Sequence, residues 1–181
     1  MNNHERWMLI PALILPATAS LSAFAVQYLS VEQAQKTMFP GGEQFEVRTF
    51  LLSASLRSAI ESASDVRVRV SEIKAWHVKQ GGKALGWFVV DEVYGKHEFI
   101  TYAVAISNEG AVKGVEILDY RETHGGEVQN PKWRAQFNGK KAGDAFKLDD
   151  DIKNISGATL SCKHIADGVK RLLATYEAAL K

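Results

Sequence analysis

Four strand-like runs joined by very short turns constrain the fold more than any other feature of this sequence. The runs are rich in β-branched and aromatic residues, and they occupy residues 71–79, 84–93, 98–107 and 111–120. Short glycine-containing segments separate them: Gln80-Gly81-Gly82-Lys83, Tyr94-Gly95-Lys96 and Asn108-Glu109-Gly110. Because connections this short join antiparallel neighbours, the sequence predicts an antiparallel meander.

Helical periodicity flanks this meander on both sides. Apolar residues recur at intervals of three and four over residues 50–63 and from Ser161 onward, and a shorter helical segment over 31–39 ends at Pro40-Gly41-Gly42. This order predicts an α+β fold, an antiparallel sheet meander with helices packed on it, rather than a doubly wound fold. One N-terminal hydrophobic helix is expected to precede it.

That N-terminal segment, residues 7–26, is almost uncharged and mostly apolar. Its length of about twenty residues suits a bilayer span better than the core of a signal peptide, which is usually ~7–15 residues long. A retained signal anchor over residues 1–30 is therefore favoured. A cleaved signal peptide is the alternative, because Ala23 and Ala25 suit a signal peptidase. Either a retained anchor or a cleaved signal peptide would export residues 31–181, which are expected to form one domain.

Composition excludes several classes of function. The 22 basic and 21 acidic residues leave a net charge of +1, so nothing favours nucleic-acid binding. The five histidines lack ligand spacing, so no metal site is expected. The single cysteine, Cys162, excludes an internal disulfide and is expected to be a small buried hydrophobe. No hydrolase motif or nucleotide loop is present, and no catalytic residue is predicted.

A small-residue turn, Ser156-Gly157-Ala158-Thr159-Leu160-Ser161, stands where the last helix begins. From the residues alone, its hydroxyls are expected to cap the helix. The alternative is a phosphate site, because helix N-termini present free N–H groups and a positive dipole end. A second block begins at Tyr120 with Arg121-Glu122-Thr123-His124-Gly125-Gly126 and continues as Asn130-Pro131-Lys132-Trp133 and, further on, Gly139-Lys140.

These two blocks resemble motifs of the FMN-binding domain family, which includes the C subunit of the sodium-translocating NADH:quinone oxidoreductase and the G subunit of the Rnf complex. The resemblance covers roughly residues 75–175. It implies that Thr159 carries FMN through a phosphoester. It also implies cofactor contacts from the rest of the turn and from the second block: Ser156, Gly157, Ala158, Leu160, Ser161, Glu122, Thr123 and Gly125. Both motifs are expected to share one cleft.

Further roles follow for single residues. Trp133 is expected to be a packing anchor, and His97 falls near a position where relatives place an aromatic residue by the flavin. Without the resemblance, Glu122 would be a solvated charge and Thr123 a turn residue. The chain departs from the family at Lys153, where an Asp usually precedes the attachment motif, and at His124 and Gly126, where Pro and Leu are usual.

The function predicted is that of an exported, membrane-associated FMN-binding electron-transfer protein. Its domain would face the periplasm or the cell exterior, and its partners would be a flavin transferase that uses FAD and Mg²⁺ and membrane or periplasmic redox proteins. Two alternatives remain open. One is a noncovalent FMN-binding sensor or accessory subunit. The other is a small flavin reductase, in which His124 is the one nearby acid or base.

Overall fold

The computed structural model describes residues 26–27 and 29–181. Its strands are β1 (Val26–Gln27), β2 (Gln44–Leu51), β3 (Glu72–Gln80), β4 (Lys83–Tyr94), β5 (Phe99–Ser107) and β6 (Val112–Tyr120). Its α-helices are α1 (Val31–Met38), α2 (Ala54–Ser64), α3 (Pro131–Arg134) and α4 (Thr159–Thr175). Short 3₁₀ turns cover Gly126–Gln129 and Ala135–Phe137, and a π turn over Tyr176–Leu180 continues α4.

The strands form one antiparallel sheet in the order β1-β6-β5-β4-β3-β2. The predicted α+β fold with an antiparallel meander is therefore confirmed, and β3 to β6 match the four strand-like runs to within one residue at each end. The predicted N-terminal hydrophobic helix lies outside the described residues. No helix in the part of the chain that the structure describes combines the length and apolarity needed to cross a bilayer.

The edge strand β2 and the start of α2 differ from the sequence prediction. The helical pattern over residues 50–63 begins too early, because Phe50 and Leu51 pair with Ile73 and Glu72 in the sheet. The helix begins only after Ser53, whose side chain accepts a hydrogen bond from the N–H of Leu56 at 3.2 Å. A serine cap thus sets the boundary that the apolar spacing misplaces.

Helices cover both faces of the sheet. On one face, α4 packs against β4 and β5, and α2 packs against α4, around the buried side chains of Ile60, Val169, Leu172, Val89 and Val104. On the other face, α1 and Phe39 pack on a smaller cluster of Phe88, Ala103 and Ala105. Because β5 is buried on both faces, it is the centre of the domain.

A buried charged network joins α4 to the sheet. The Tyr102 hydroxyl donates a hydrogen bond of 2.6 Å to Oδ2 of Asp91, and the Arg171 guanidinium donates to the same oxygen. Gly168 faces this network so closely that an added Cβ would overlap the Tyr102 hydroxyl. Burial raises the pKa of Tyr102, so its phenol stays a neutral donor. These contacts fix where α4 lies along the sheet. They therefore also fix the position of the N-terminus of α4.

Candidate functional site

A cleft of about 560 Å³ lies at one end of the sheet, between the β4–β5 turn, the loop after β6 and the start of α4. Its lining residues are Lys96, His97, Glu122, Thr123, His124, Gly157, Ala158, Thr159, Leu160 and Ser161. Its volume falls within the range of small-molecule sites. The prediction that the two motifs share one cleft is confirmed.

The start of α4 carries no side-chain cap. Ala158 is the N-cap residue, and no hydrogen bond within the described residues uses the N–H groups of Thr159, Leu160 and Ser161. The Thr159 hydroxyl instead accepts from Nδ2 of Asn154 at 3.2 Å, while the Ser161 hydroxyl is buried 3.4 Å from that of Tyr120. The expectation that hydroxyls of this turn cap the helix is therefore wrong.

The turn before α4 has room for an anion. Ser156, Gly157 and Thr159 are exposed. Gly157 has φ +82°, and an added Cβ would meet no atom within 4 Å. Free N–H groups at the positive end of a helix dipole, beside an open glycine, form a cradle suited to a phosphate. The residues present therefore fit the phosphate of FMN.

Close packing holds the loop after β6 against this cradle. Gly125 has φ +87°, and an added Cβ would lie 2.5 Å from that of Ala158 and 2.7 Å from the Tyr120 hydroxyl. The Tyr120 hydroxyl also donates to the carbonyl of His124 at 2.6 Å. Gly125 itself lies outside the cleft lining, on a neighbouring depression of about 710 Å³ lined by residues 123–127 and 129–131. The structure thus places Gly125 as a spacer between the two motifs.

Glu122 is the acceptor that shapes the β4–β5 turn. Its Oε1 accepts from the backbone N–H groups of His97 at 2.6 Å and Glu98 at 3.1 Å, and also from that of Lys96. Burial acts to raise the pKa of Glu122, but these three hydrogen bonds outweigh it, so the pKa lies below the usual value. The view of Glu122 as a freely solvated charge is therefore wrong.

Acidification is expected to release this turn. Because the folded-state pKa of Glu122 is lowered, its stabilising effect is complete above the unfolded pKa and is lost as the pH falls through the folded value. In an NMR titration, the amide signals of Lys96 and His97 should move with a midpoint below about 4.3. Glu122→Gln, which cannot ionise, should abolish that step. A midpoint at or above the usual glutamate value would contradict the assignment.

Sequence reasoning missed the contribution of Gly95 and Lys96. An added Cβ at Gly95 would overlap Oε1 of Glu122, so only glycine lets the turn approach that carboxylate. Lys96 lines the cleft, and within the described residues no carboxylate lies within 4 Å of its ammonium group. The sequence marks these residues only as a turn, because their partner is 26 positions away.

Two expectations about single residues are confirmed. Trp133 is 6% exposed, packs edge-on against Phe137 and donates its indole N–H to the carbonyl of Lys153 at 2.7 Å. It is a packing anchor that does not line the cleft. Cys162 is fully buried in the main core, and burial raises the pKa of its thiol.

The part of the chain that forms the cleft is similar to known proteins. Residues 95–174 match the family model described as FMN-binding domain. The chain is 22% identical to the G subunit of the Na⁺-translocating ferredoxin:NAD⁺ oxidoreductase complex of Acetobacterium woodii, over 93% of this chain and 86% of that protein. It is 30% identical to the C subunit of the Na⁺-translocating NADH-quinone reductase of Pasteurella multocida, over 62% of this chain and half of that protein.

Solved structures agree on the fold. The NqrC protein of Shewanella oneidensis superimposes with a TM-score of 0.53 at 14% identity, covering 79% of this chain and 84% of that one. The C subunit of the Na⁺-translocating NADH-quinone reductase of Parabacteroides distasonis gives a TM-score of 0.54 at 14% identity, covering 83% and 84%. The resemblance that the two motifs indicate is therefore confirmed: over residues 95–174, which supply every residue lining the cleft, this chain is similar to the FMN-binding domain family.

Proposed function

We propose that this chain is an exported, membrane-associated FMN-binding electron-transfer protein whose FMN is attached through a phosphoester to Thr159. Residues 1–30 would act as a signal anchor and residues 31–181 as the FMN-binding domain, facing the periplasm or the cell exterior. The relatives named above are subunits of Na⁺-translocating oxidoreductases. By analogy, the partners of this chain would be redox proteins at the membrane, together with the flavin transferase that loads it.

The observation that carries this proposal is an exposed Thr159 hydroxyl at an uncapped helix start, inside the cleft that also contains Glu122 and Thr123. The N–H groups of the first turn of α4 would hold the phosphate, with Ser156, Gly157 and Ala158 leaving room for it. When bound, FMN supplies the electron-accepting and electron-donating chemistry. The protein itself would then have to fix the phosphate, position the flavin ring and leave an edge of the ring open to the electron donor and acceptor.

Attachment at Thr159 is tested by intact mass. The full chain, produced together with the flavin transferase, is expected to gain the mass of FMN less one water. The Thr159 oxygen forms the new bond to the FMN phosphorus of FAD, the pyrophosphate bond of FAD breaks, AMP leaves, and the threonine loses its hydroxyl proton. Thr159→Ala should abolish the added mass. Thr49→Ala, which removes an exposed threonine hydroxyl on β2 outside the cleft, is the matched control and should keep it. An adduct that survives Thr159→Ala would overturn the assignment.

Lys153 favours a second candidate, a domain that binds FMN without a covalent bond. It stands exposed where the family's attachment motif usually carries Asp, so a transferase that reads this position would load the chain poorly. In that case the denatured protein shows no flavin fluorescence in a gel, while the folded apoprotein still binds added FMN and quenches its fluorescence. Lys153→Asp should then raise the covalently loaded fraction. If that fraction stays at zero, the covalent proposal fails and FMN binding remains.

A further inference from the structure

One end of the sheet gathers most of the exposed apolar side chains. Here β2, β4 and β6 end, and β1, β3, β5 and α4 begin. We call it the cleft end, since it contains the cleft. Among the described residues, six large hydrophobic side chains are exposed, and five of them lie there: Leu51 (77%), Phe99 (55%), Tyr94 (51%), Leu160 (44%) and Val70 (39%). The sixth, Val47, lies midway along β2.

The opposite end of the sheet is polar. It consists of the turns Gln80-Gly81-Gly82-Lys83 and Asn108-Glu109-Gly110 and the start of β2. Exposed hydrophobic residues scattered singly over a surface need no explanation, whereas their concentration at one end marks a contact surface. The domain therefore has an apolar end and a polar end.

The chain also enters the domain at the cleft end. Val26 pairs with Tyr120, Tyr120 pairs with Ile100, and Ile100 pairs with Val93, so these residues form one row across four strands. At about 4.8 Å per strand, the row is roughly 14 Å long. Tyr94 and Phe99 lie one position beyond it, 5.2 Å apart between ring centroids. The apolar residues 7–26 lead directly into this row, without a linker.

We propose that the cleft end faces the lipid bilayer and that Leu51, Tyr94 and Phe99 lie in its interfacial layer. This rests on the proposed signal anchor, because a segment that spans the bilayer up to Val26 would hold this row close to the lipid headgroups. Tyrosine and other amphipathic aromatic residues favour that layer. Charges of both signs occur at this end: Lys96 and Glu98 lie in the β4–β5 turn, Glu92 lies near the end of β4, and Arg121 follows β6. The contact is therefore apolar and needs no anionic lipid.

A pair of equally exposed positions tests this orientation. Phe99 and Val47 are both 55% exposed, and the native Cys162 is fully buried. Phe99→Cys and Val47→Cys are labelled with an environment-sensitive fluorophore, and the full chain is reconstituted into phosphatidylcholine vesicles. We expect blue-shifted emission at position 99 and at least twofold stronger quenching by doxyl-labelled lipid than at position 47. Leu51→Cys provides a second site at this end if Phe99→Cys fails to fold.

The outcomes separate this inference from the proposed function, because the measurement needs no flavin. Protein that floats with the vesicles after an alkaline wash, yet shows equal quenching at positions 47 and 99, keeps the anchor and overturns the orientation. Protein that fails to float overturns both the anchor and the orientation, and leaves FMN attachment intact. Shielding of position 99 in native membranes, without quenching in lipid vesicles, would assign the apolar end to a protein partner and also overturn the inference.

Discussion

Asp91→Ala is expected to lower the free energy of unfolding by about 3–5 kcal/mol, the usual cost of leaving one charge of a buried pair without its partner. Asp91 and Arg171 have side chains only 10% and 11% exposed, so water cannot replace the lost carboxylate fully. The Tyr102 hydroxyl loses its acceptor in the same step. Urea unfolding of the full chain in detergent, followed by tryptophan fluorescence, measures the change.

Glu46→Ala is the matched control for this prediction. Glu46 also pairs with a cation, Lys79, at 2.8 Å, but the two side chains are 37% and 26% exposed. Pairs exposed to this degree contribute about 0–1 kcal/mol. If Asp91→Ala destabilises the chain no more than Glu46→Ala, the network does not hold α4 on the sheet. Asp91→Asn, which keeps an acceptor for Tyr102, should fall between the two.

The sheet could be predicted from the sequence because its signals are local. Glycine-containing turns between β-rich runs determine both the strand boundaries and the antiparallel pairing of β3 to β6. The edge strand β2 could not be predicted in this way, because its mostly exposed residues show no alternation of apolar and polar side chains. Its last two residues, Phe50 and Leu51, also fit the apolar spacing of the next helix. Only the cap at Ser53 separates strand from helix, and a serine at that position is not a unique signal.

The candidate site was predictable only in part, because here too the sequence shows short contiguous signals but not contacts between distant residues. The turn at Ser156–Ser161 and the loop at Glu122–Thr123 are short contiguous blocks, so the resemblance finds both. What holds them together is not local: Asp91 and Arg171 are 80 positions apart, and Glu122 is 26 positions from the turn it shapes. The spacing of apolar residues along the sequence does not indicate such contacts. The uncapped state of α4 is likewise a property of the folded turn, since its sequence offers three hydroxyls that could have capped it.

Gly125→Ala is expected to separate the two motifs and weaken FMN binding at least tenfold. The added methyl would lie 2.5 Å from Cβ of Ala158 and 2.7 Å from the Tyr120 hydroxyl, and none of these groups is the end of a flexible chain. Overpacking of this kind costs typically 1–3 kcal/mol, and a left-handed φ adds about 1 kcal/mol for a residue with a Cβ. Displacing the loop by the clash would move Glu122 and Thr123 away from the cradle at Thr159.

The neighbouring glycine makes this prediction specific. Gly126→Ala places its methyl 3.4 Å from Nε2 of Gln129, a side-chain end that can move, and Gly126 has no left-handed φ. Fluorescence titration of the apoproteins with FMN should therefore leave Gly126→Ala near wild type and show the loss only for Gly125→Ala. Since a tenfold loss corresponds to about 1.4 kcal/mol, the strain at Gly125 is sufficient to produce it. Equal affinities in both variants would mean that the contact between Gly125 and Ala158 does not position the cofactor cleft.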